Sequence, residues 1–195
     1  LVTDFDYFFP TISPPDPGWY MYDWGHSERH APWLQNLLWT TRAATFLAND
    51  MRLPRLSSAQ AHFWQRFRFH PHARLFVSDS NTHSITPVVR RGVSEVHLYD
   101  AHHDCGYRKV LGKYFTCEDW GLWYASQSIS VTVHYPPWRR PEAWCYGEDV
   151  GFPVTRVIDD GQPDSEPFGR VPVCRSRPWV PPWVARTFQR FLARC

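Results

Sequence analysis

The stretch LVTDFDYFFP (residues 1–10) combines a strongly apolar run with two aspartates, Asp4 and Asp6, at alternate positions. In a β-strand, residues two apart point to the same face, so the pattern predicts a strand that carries both carboxylates side by side. Neighbouring carboxylates repel each other, and they lose their hydration when they are buried. The rest of the sequence should therefore supply the positive charge that compensates for them.

Length and composition restrict the classes of protein to which this chain can belong. Its 195 residues, 43% of them hydrophobic, suffice for one core, and we expect a single domain over residues 1–195. No apolar run is long enough to span a membrane and no signal-peptide pattern is present, so we expect a cytoplasmic protein without a membrane partner. A net charge of +2, with scattered basic residues, argues against a nucleic-acid partner. Five cysteines without a CxxC pair argue against a zinc ribbon and against a disulfide framework.

Predicted strands and helices alternate along the chain. After the first strand, further strands are predicted at ARLFVSD (73–79), VSEVHLYD (93–100), SISVTVHY (128–135), VTRVID (154–159) and VPVC (171–174). Helices are predicted at 29–48, from Ser57 onward, at 118–126 and at 182–193, and residues 10–26 are predicted to form a long loop. This alternation predicts a three-layer α/β fold around a mainly parallel sheet. Functional sites in such sheets lie beyond the C-terminal ends of the strands.

Three of the predicted strands end in aspartate or histidine residues. These are Asp4 and Asp6 after the first strand, His83 after the second, and Asp100, His102 and Asp104 after the third. Four carboxylates that converge at strand ends are balanced by two divalent cations. Oxygen and imidazole ligands without a thiolate favour Mn²⁺ over structural zinc. Two Mn²⁺ ions that share carboxylates would hold and activate a water molecule.

These motifs resemble those of the arginase–deacetylase superfamily, and in particular those of its ureohydrolases. DAHHD (100–104) matches their Asp-Ala-His-x-Asp motif, and THS (82–84) resembles the end of their Gly-Gly-Asp-His-Ser motif. DFDYFFP (4–10) resembles their Asp-x-Asp-x-Phe-Asp-Pro motif, with Phe9 in place of the last aspartate. The Asp-x-Asp strand comes last in ureohydrolases and first here, which a circular permutation of the parallel sheet would explain. The short chain further resembles the peptide arginases, which convert arginine to ornithine in ribosomally made peptides.

The resemblance implies an arginase-like catalytic domain with two Mn²⁺ ions. One ion would be held by His83, Asp100, Asp104 and Asp4, and the other by His102, Asp100, Asp4 and Asp6, with Asp100 and Asp4 as bridges. The implied reaction is hydrolysis of a guanidinium group to an amine and urea. In this reaction Asp104 would hydrogen-bond the attacking water and carry its proton to the leaving amine.

Other polar residues are candidates for binding the cationic substrate. Glu118 and Asp119 lie at a predicted helix start, where they either pair with the guanidinium or favour the positive end of that helix, and Glu118 is also a candidate catalytic residue. In DWGHSE (23–28), His26 is a candidate proton shuttle and Glu28 a candidate substrate ligand, although a solvated loop histidine or a helix cap is the more common role for a residue placed like His26. Arg175 follows a strand, and it either meets a substrate carboxylate or peptide backbone or forms a structural ion pair.

We therefore expect a manganese-dependent amidinohydrolase that acts on arginine within a peptide, such as a ribosomal natural-product precursor. The alternatives are a small-molecule ureohydrolase that acts on free arginine, agmatine or a guanidino acid, and a non-catalytic metal-containing protein that binds peptides. A zinc deacetylase of the same superfamily would keep one metal, whereas the six candidate ligands here suit two. A two-metal phosphoesterase is disfavoured because no Gly-rich phosphate-binding loop is present.

Overall fold

The computed structural model describes residues 1–10, 31–106, 115–139, 154–163 and 166–195. In this part of the chain, six strands form one sheet: β1 (Val2–Asp4), β2 (Arg68–Ser78), β3 (Glu95–Tyr99), β4 (Ser130–Tyr135), β5 (Val154–Ile158) and β6 (Pro167–Cys174). The strands follow the order β2-β6-β1-β3-β4-β5, and every neighbouring pair is parallel. The predicted α/β fold with a parallel sheet is therefore confirmed.

Helices flank this sheet. The α-helices are α1 (Pro32–Ala48), α2 (Pro87–Arg90), α3 (Trp120–Ser126) and α4 (Ala185–Leu192), and short 3₁₀ helices span Phe5–Phe8, Ser58–Ala61, Phe63–Arg66, Asn81–Ile85 and Pro182–Val184. One buried cluster joins α4 to the aromatic side chains that follow β1, and a second joins α3 to β3 and β4. None of the helices described is long and apolar enough to cross a membrane. The four cysteines in the described ranges are free thiols.

The predicted helix after Ser57 is wrong. The Ser57 side chain does act as a cap, because its hydroxyl accepts a hydrogen bond from the Ala59 backbone N–H at 3.2 Å. The chain then forms two successive 3₁₀ helices, interrupted at His62, instead of an α-helix. This path buries Phe63 and Trp64 in the aromatic cluster beneath α4, so tertiary packing overrides the local capping signal. The predicted loop lies outside the described residues from position 11 onward.

The first strand is shorter than its apolar sequence predicts. β1 ends at Asp4, whose Oδ1 accepts a hydrogen bond from the Asp6 backbone N–H at 3.1 Å, and the chain turns at once into the 3₁₀ helix Phe5–Phe8. This local bond is a common alternative to strand pairing for an aspartate. The expectation that Asp4 and Asp6 share one face of a strand is therefore wrong, although both side chains are buried.

The strand order places β1 at the point where the chain changes direction across the sheet. From β1 the chain proceeds to β2 on one side and then returns to β3 on the other. Thr3 pairs with Tyr99 in the register of β1 and β3, so Asp4 and Asp100 are neighbours at the ends of these strands. In open α/β sheets, ligands bind in the crevice at such a switch point.

A buried ion pair fixes the end of β5, which is an edge strand. Both oxygens of Asp159 accept hydrogen bonds from the Arg66 guanidinium at 2.6 Å, and the Tyr7 hydroxyl donates a third bond. Burial opposes the charge on Asp159, but the bonds from Arg66 and Tyr7 outweigh it and hold the pKa of this carboxyl below its usual value. Paired, two-pronged contacts of this kind are among the stronger hydrogen bonds in proteins.

We expect the substitution Asp159→Ala to lower the free energy of unfolding by about 3–5 kcal/mol, because it leaves the Arg66 guanidinium without its carboxylate partner. Asp79→Ala is the matched control, since it removes the exposed Arg177–Asp79 pair and should cost less than about 1 kcal/mol. Urea unfolding followed by tryptophan fluorescence measures both. Equal losses in the two variants would contradict a stabilising role for the buried pair.

Candidate metal centre

Four aspartates gather at the C-terminal edge of the sheet, and all are almost inaccessible to solvent. Their exposed fractions are 3% for Asp4, 1% for Asp6, 1% for Asp100 and 7% for Asp104. Asp4 ends β1, Asp100 follows β3, and Asp6 lies in the turn after β1. Asp104 adopts a left-handed backbone conformation with φ of +47°, so the loop after β3 bends and does not continue as a strand. The aspartates of two predicted strand ends therefore converge, although the convergence depends on turns.

Asp6, Asp100 and His102 form a group that could hold a metal ion. One potential ligand atom from each of the three residues lies within 4.8 Å of the other two. His102 Nδ1 is 3.0 Å from Asp6 Oδ2 and 3.5 Å from Asp100 Oδ1. The His102 backbone N–H also donates to Asp100 Oδ1 at 2.7 Å, which fixes the loop. The His102 side chain is 31% exposed, so solvent reaches one side of the group.

The end of β2 reaches the same carboxylates through Asn81. Its Nδ2 lies 2.7 Å from Asp4 Oδ2, 2.8 Å from Asp104 Oδ2 and 3.2 Å from Asp100 Oδ2. His83, the predicted ligand in this segment, has an exposed side chain and is not part of the group of Asp6, Asp100 and His102.

The local turn explains which side chain of this segment points inward. Ser80 caps the 3₁₀ helix Asn81–Ile85, since its hydroxyl accepts a hydrogen bond from the Thr82 backbone N–H at 3.2 Å. The tight turn that follows buries Asn81 and Ser84 and leaves His83 on the solvent side. The structure thus brings five of the six predicted metal ligands together, and it places His83 apart from them.

Helix α3 packs directly on the loop that carries Asp104. Trp120 Nε1 donates to Asp104 Oδ2 at 2.7 Å, and the Gly121 backbone N–H donates to the Asp104 carbonyl at 2.9 Å. A Cβ atom at position 121 would lie only 2.6 Å from the Cys105 sulfur, so this approach requires glycine. Tyr124, from the same helix, donates to the Ser84 carbonyl at 2.7 Å. Helix α3 therefore connects the loop after β3 to the turn after β2.

Burial and mutual repulsion shift the protonation of the cluster. Burial, followed by repulsion from the other three aspartates, raises the pKa of Asp4 well above its usual value. Burial and repulsion from Asp6 raise the pKa of Asp100 to about 7. Burial and repulsion from Asp100 raise the pKa of Asp104. Burial disfavours the charged form of His102, but Asp6 and Asp100 outweigh it and hold the His102 pKa well above its usual value.

The donor set fits a divalent cation. Two like charges 4 Å apart repel by about 4 kcal/mol at an effective dielectric constant near 20, whereas a hydrogen bond to a charged group contributes about 1.5–3 kcal/mol. Within the described residues, no lysine or arginine forms an ion pair with any of the four aspartates. Asp6 Oδ2 is buried and accepts no hydrogen bond of regular geometry there. Carboxylate and imidazole ligands without thiolate suit Mn²⁺ or a similar ion.

Two of the candidate substrate residues have structural roles in the turn before α3. Glu118 has an exposed side chain, and its backbone carbonyl accepts a hydrogen bond from Gly106 at 2.8 Å. The Asp119 carboxylate accepts hydrogen bonds from the backbone N–H and the hydroxyl of Thr116. These contacts order the chain at the start of α3, and a substrate-binding role for both residues stays a prediction.

One of the other substrate candidates, Arg175, follows the end of β6, and two lie outside the described residues. The Arg175 guanidinium lies 6.0 Å from the ring of Phe188 on α4, and its buried Nε has no hydrogen-bond partner in the described ranges. Burial, followed by repulsion from Arg177, lowers the pKa of Arg175. His26 and Glu28 belong to residues 11–30, outside the part of the chain that the structure describes.

Three residues of the site are not predicted from the sequence. Asn81 lies in the segment SDSNTHSI, where several polar residues follow a strand and only the turn geometry selects one of them. Trp120 is an apolar residue by pattern, and its bond to Asp104 is a tertiary contact without a local signal. Trp179 comes from the loop after β6, and its ring centroid lies 5.9 Å from that of His102.

No protein-family model, no curated protein and no solved structure matches this chain. The structure itself shows a parallel α/β sheet with a buried cluster of aspartate and histidine side chains at the C-terminal ends of its strands. The parallel sheet and the possible Asp/Asp/His metal site agree in general terms with the resemblance to ureohydrolases.

Without added metal, we expect the free energy of unfolding to fall as the pH rises from 5 to 8. The folded chain retains protons, since the pKa of Asp100 is about 7 against 3.8 for an ordinary aspartate, while the unfolded chain has released them. The raised pKa of His102 acts in the same direction. Mn²⁺ displaces these protons, so its stabilising effect should grow with pH.

Thermal unfolding in EDTA and in MnCl₂, recorded at several pH values across this range, measures the effect. Asp100→Asn is the control, since it should reduce the pH dependence in EDTA. A melting temperature that does not respond to Mn²⁺ at any of these pH values would contradict the assignment of a metal centre.

We expect Gly121→Ala to displace α3 from the Asp104 loop, because the new methyl group would overlap the Cys105 sulfur. The variant should lose about 1–3 kcal/mol of stability through overpacking and should bind Mn²⁺ more weakly. The matched control is Gly169→Ala, where an added Cβ meets no atom within 4 Å. Isothermal titration with Mn²⁺ measures the affinity, and an unchanged affinity in Gly121→Ala would show that α3 does not position Asp104.

Proposed function

We propose that this protein is a binuclear manganese amidinohydrolase that hydrolyses the guanidinium group of arginine, within a peptide, to ornithine and urea. The observation that carries the proposal is the buried cluster at the C-terminal edge of the sheet, where Asp6, Asp100 and His102 offer three ligand atoms within 4.8 Å of one another. Asp4 and Asp104 extend this cluster on the side of Asn81. The motif resemblance to ureohydrolases adds the reaction class.

The four carboxylates match the charge of two divalent cations. Asp6, Asp100 and His102 would hold one ion, and Asp4 and Asp104 would contribute oxygens to the second, with Asp100 between them. When bound, two such ions hold and activate a water molecule. The protein contributes a preset arrangement, because backbone N–H groups and the Trp120 side chain already fix the carboxylates.

A guanidinium group suits the surroundings of the cluster. The negative charge attracts a cation, and the partly exposed His102 marks the side from which a substrate enters. Trp179 places an aromatic ring beside His102, and aromatic rings attract guanidinium groups. A neutral or anionic substrate would gain neither interaction.

Asp104 is suited to transfer the proton in this reaction. The resemblance to ureohydrolases assigns Asp104 to hydrogen-bond the attacking water and to pass on its proton. Water adds to the guanidinium carbon, and the bond from this carbon to Nε breaks. Both protons of the water end on Nε, one of them by way of Asp104. The side chain leaves as the amine of ornithine, and the guanidinium carbon leaves as urea.

A row of tryptophans next to the cluster favours a peptide over a free amino acid. Trp179 packs against the buried cluster that contains Trp39 of α1, and Trp39 lies 5.7 Å from Trp183. Trp39 is buried, whereas Trp183 is 47% exposed, so the row reaches solvent at Trp183. Tryptophan side chains are enriched where proteins bind peptides and other proteins. A sealed amino-acid pocket would not need an exposed tryptophan.

The test is mass spectrometry of an arginine-containing peptide and of free arginine, each incubated with the protein and Mn²⁺. We expect the peptide to lose one CH₂N₂ unit and to release urea. Asp100→Ala should abolish the reaction because it removes a carboxylate shared by both ions. Asp79→Ala, which changes an exposed residue outside the cluster, should retain the activity of the unmodified chain.

The other outcomes separate the alternatives. Reaction of free arginine or agmatine alone would identify a small-molecule ureohydrolase. Tight binding of an arginine peptide without any change in its mass would indicate a non-catalytic binding protein. If the chain binds Mn²⁺ but neither binds nor converts any guanidino compound, the proposed substrate is wrong and the metal centre is retained.

A further inference from the structure

Three carboxylate oxygens converge on one nitrogen atom. Nδ2 of Asn81 lies within 3.2 Å of oxygens from Asp4, Asp100 and Asp104. An amide NH₂ group has only two hydrogens, so it cannot donate a full hydrogen bond to all three acceptors. Three carboxylate oxygens that face one group are instead the environment of a cation. The amide thus presents a nitrogen where an oxygen ligand of that cation would fit.

The oxygen of the same amide has no partner. Asn81 is 2% exposed, and its Oδ1 is buried without a hydrogen bond in the described part of the chain. Leaving a buried carbonyl oxygen unpaired costs about 1–3 kcal/mol. Turning the amide by half a rotation exchanges its oxygen and nitrogen, so that Oδ1 faces the three carboxylate oxygens. Amide oxygens are good ligands for hard divalent cations.

We infer that Asn81 is a metal ligand, and that its Oδ1 completes an all-oxygen site for the second Mn²⁺ with Asp4, Asp104 and Asp100. The inference rests on the two-metal part of the proposed function and is independent of the substrate. It replaces His83, which the resemblance to ureohydrolases assigned to this ion and whose side chain is exposed. The two sites then differ in chemistry, since only the site of Asp6, Asp100 and His102 has a nitrogen ligand.

The distances around the amide suit ligands that share one ion. Two neighbouring ligands of an octahedral ion with bonds of about 2.1 Å lie about 3 Å apart. The three carboxylate oxygens lie 2.7–3.2 Å from the amide nitrogen, so an oxygen in its place would be a neighbouring ligand, with the ion between the four oxygens. Asn81 lies at the start of a short 3₁₀ helix that Tyr124 holds through Ser84, so its Cα position is fixed while its amide can turn.

Metal stoichiometry tests the inference without any assay of activity. The unmodified chain and its Asn81→Leu, Asn81→Asp and His83→Ala variants are saturated with Mn²⁺, separated from free metal by gel filtration and analysed by plasma mass spectrometry. We expect two ions per chain in the unmodified protein and in His83→Ala, and one in Asn81→Leu. Asn81→Asp should restore two, because it returns an oxygen ligand. The electron paramagnetic resonance signal of a coupled pair should follow the same pattern.

Each outcome decides between the two ligands. Loss of one ion from His83→Ala, with two retained in Asn81→Leu, would overturn the inference and favour His83. Because His83→Ala changes an exposed residue, its metal content shows whether His83 is a ligand even where Asn81→Leu does not fold. A single ion in the unmodified chain would overturn the inference together with the two-metal proposal. Two ions that depend on Asn81, without reaction of any guanidino compound, would support the inference while the proposed activity fails.

Discussion

The repulsion among four buried carboxylates is the constraint on which the rest of the site depends. Each aspartate is nearly free of solvent contact, so water cannot separate their charges. Without metal, hydrogen-bond donors surround them: the Asn81 amide nitrogen, the Trp120 indole and the backbone after Asp4 and Asp100. Hydrogen bonds of this strength reduce the repulsion without removing it, which leaves protons or cations to balance the remaining charge.

The parallel sheet is what makes such a concentration of charge feasible. All six described strands point their C-terminal ends to one edge, and β1 lies where the chain changes direction. Asp4 and Asp100 are neighbours because their strands are neighbours, and turns add the other side chains of the cluster. Helix α3 closes one side through Gly121, whose missing side chain allows contact with the Cys105 sulfur. The apolar strands form the rigid part of the fold, and the polar turns carry the candidate site residues.

The sequence predicts the strands of the sheet better than it predicts the turns between them. The strands can be predicted because each is a short apolar run between polar residues, and Asp4 and Asp100 because each directly ends such a run. Strand alternation predicts that Asp6 lies near Asp4, but a 3₁₀ turn is what brings the two residues together. The choice between Asn81 and His83 depends on one turn of backbone, and the bond from Trp120 depends on tertiary packing. Neither leaves a periodic pattern in the sequence.

The central position of β1 has a consequence for how the protein folds. Thr3 pairs with Tyr99 on one side and with Val173 on the other. β1 can therefore join the sheet only after segments that are distant in the sequence have come together. Closing such long loops is slow, and domains rich in distant parallel pairings fold late and aggregate easily. The pairing of β1 with β3 requires only the first half of the chain, and it already brings Asp4 beside Asp100. A cation captured at that stage would stabilise the nucleus of the sheet before β6 is in place, and metal supply would then govern the yield of folded protein.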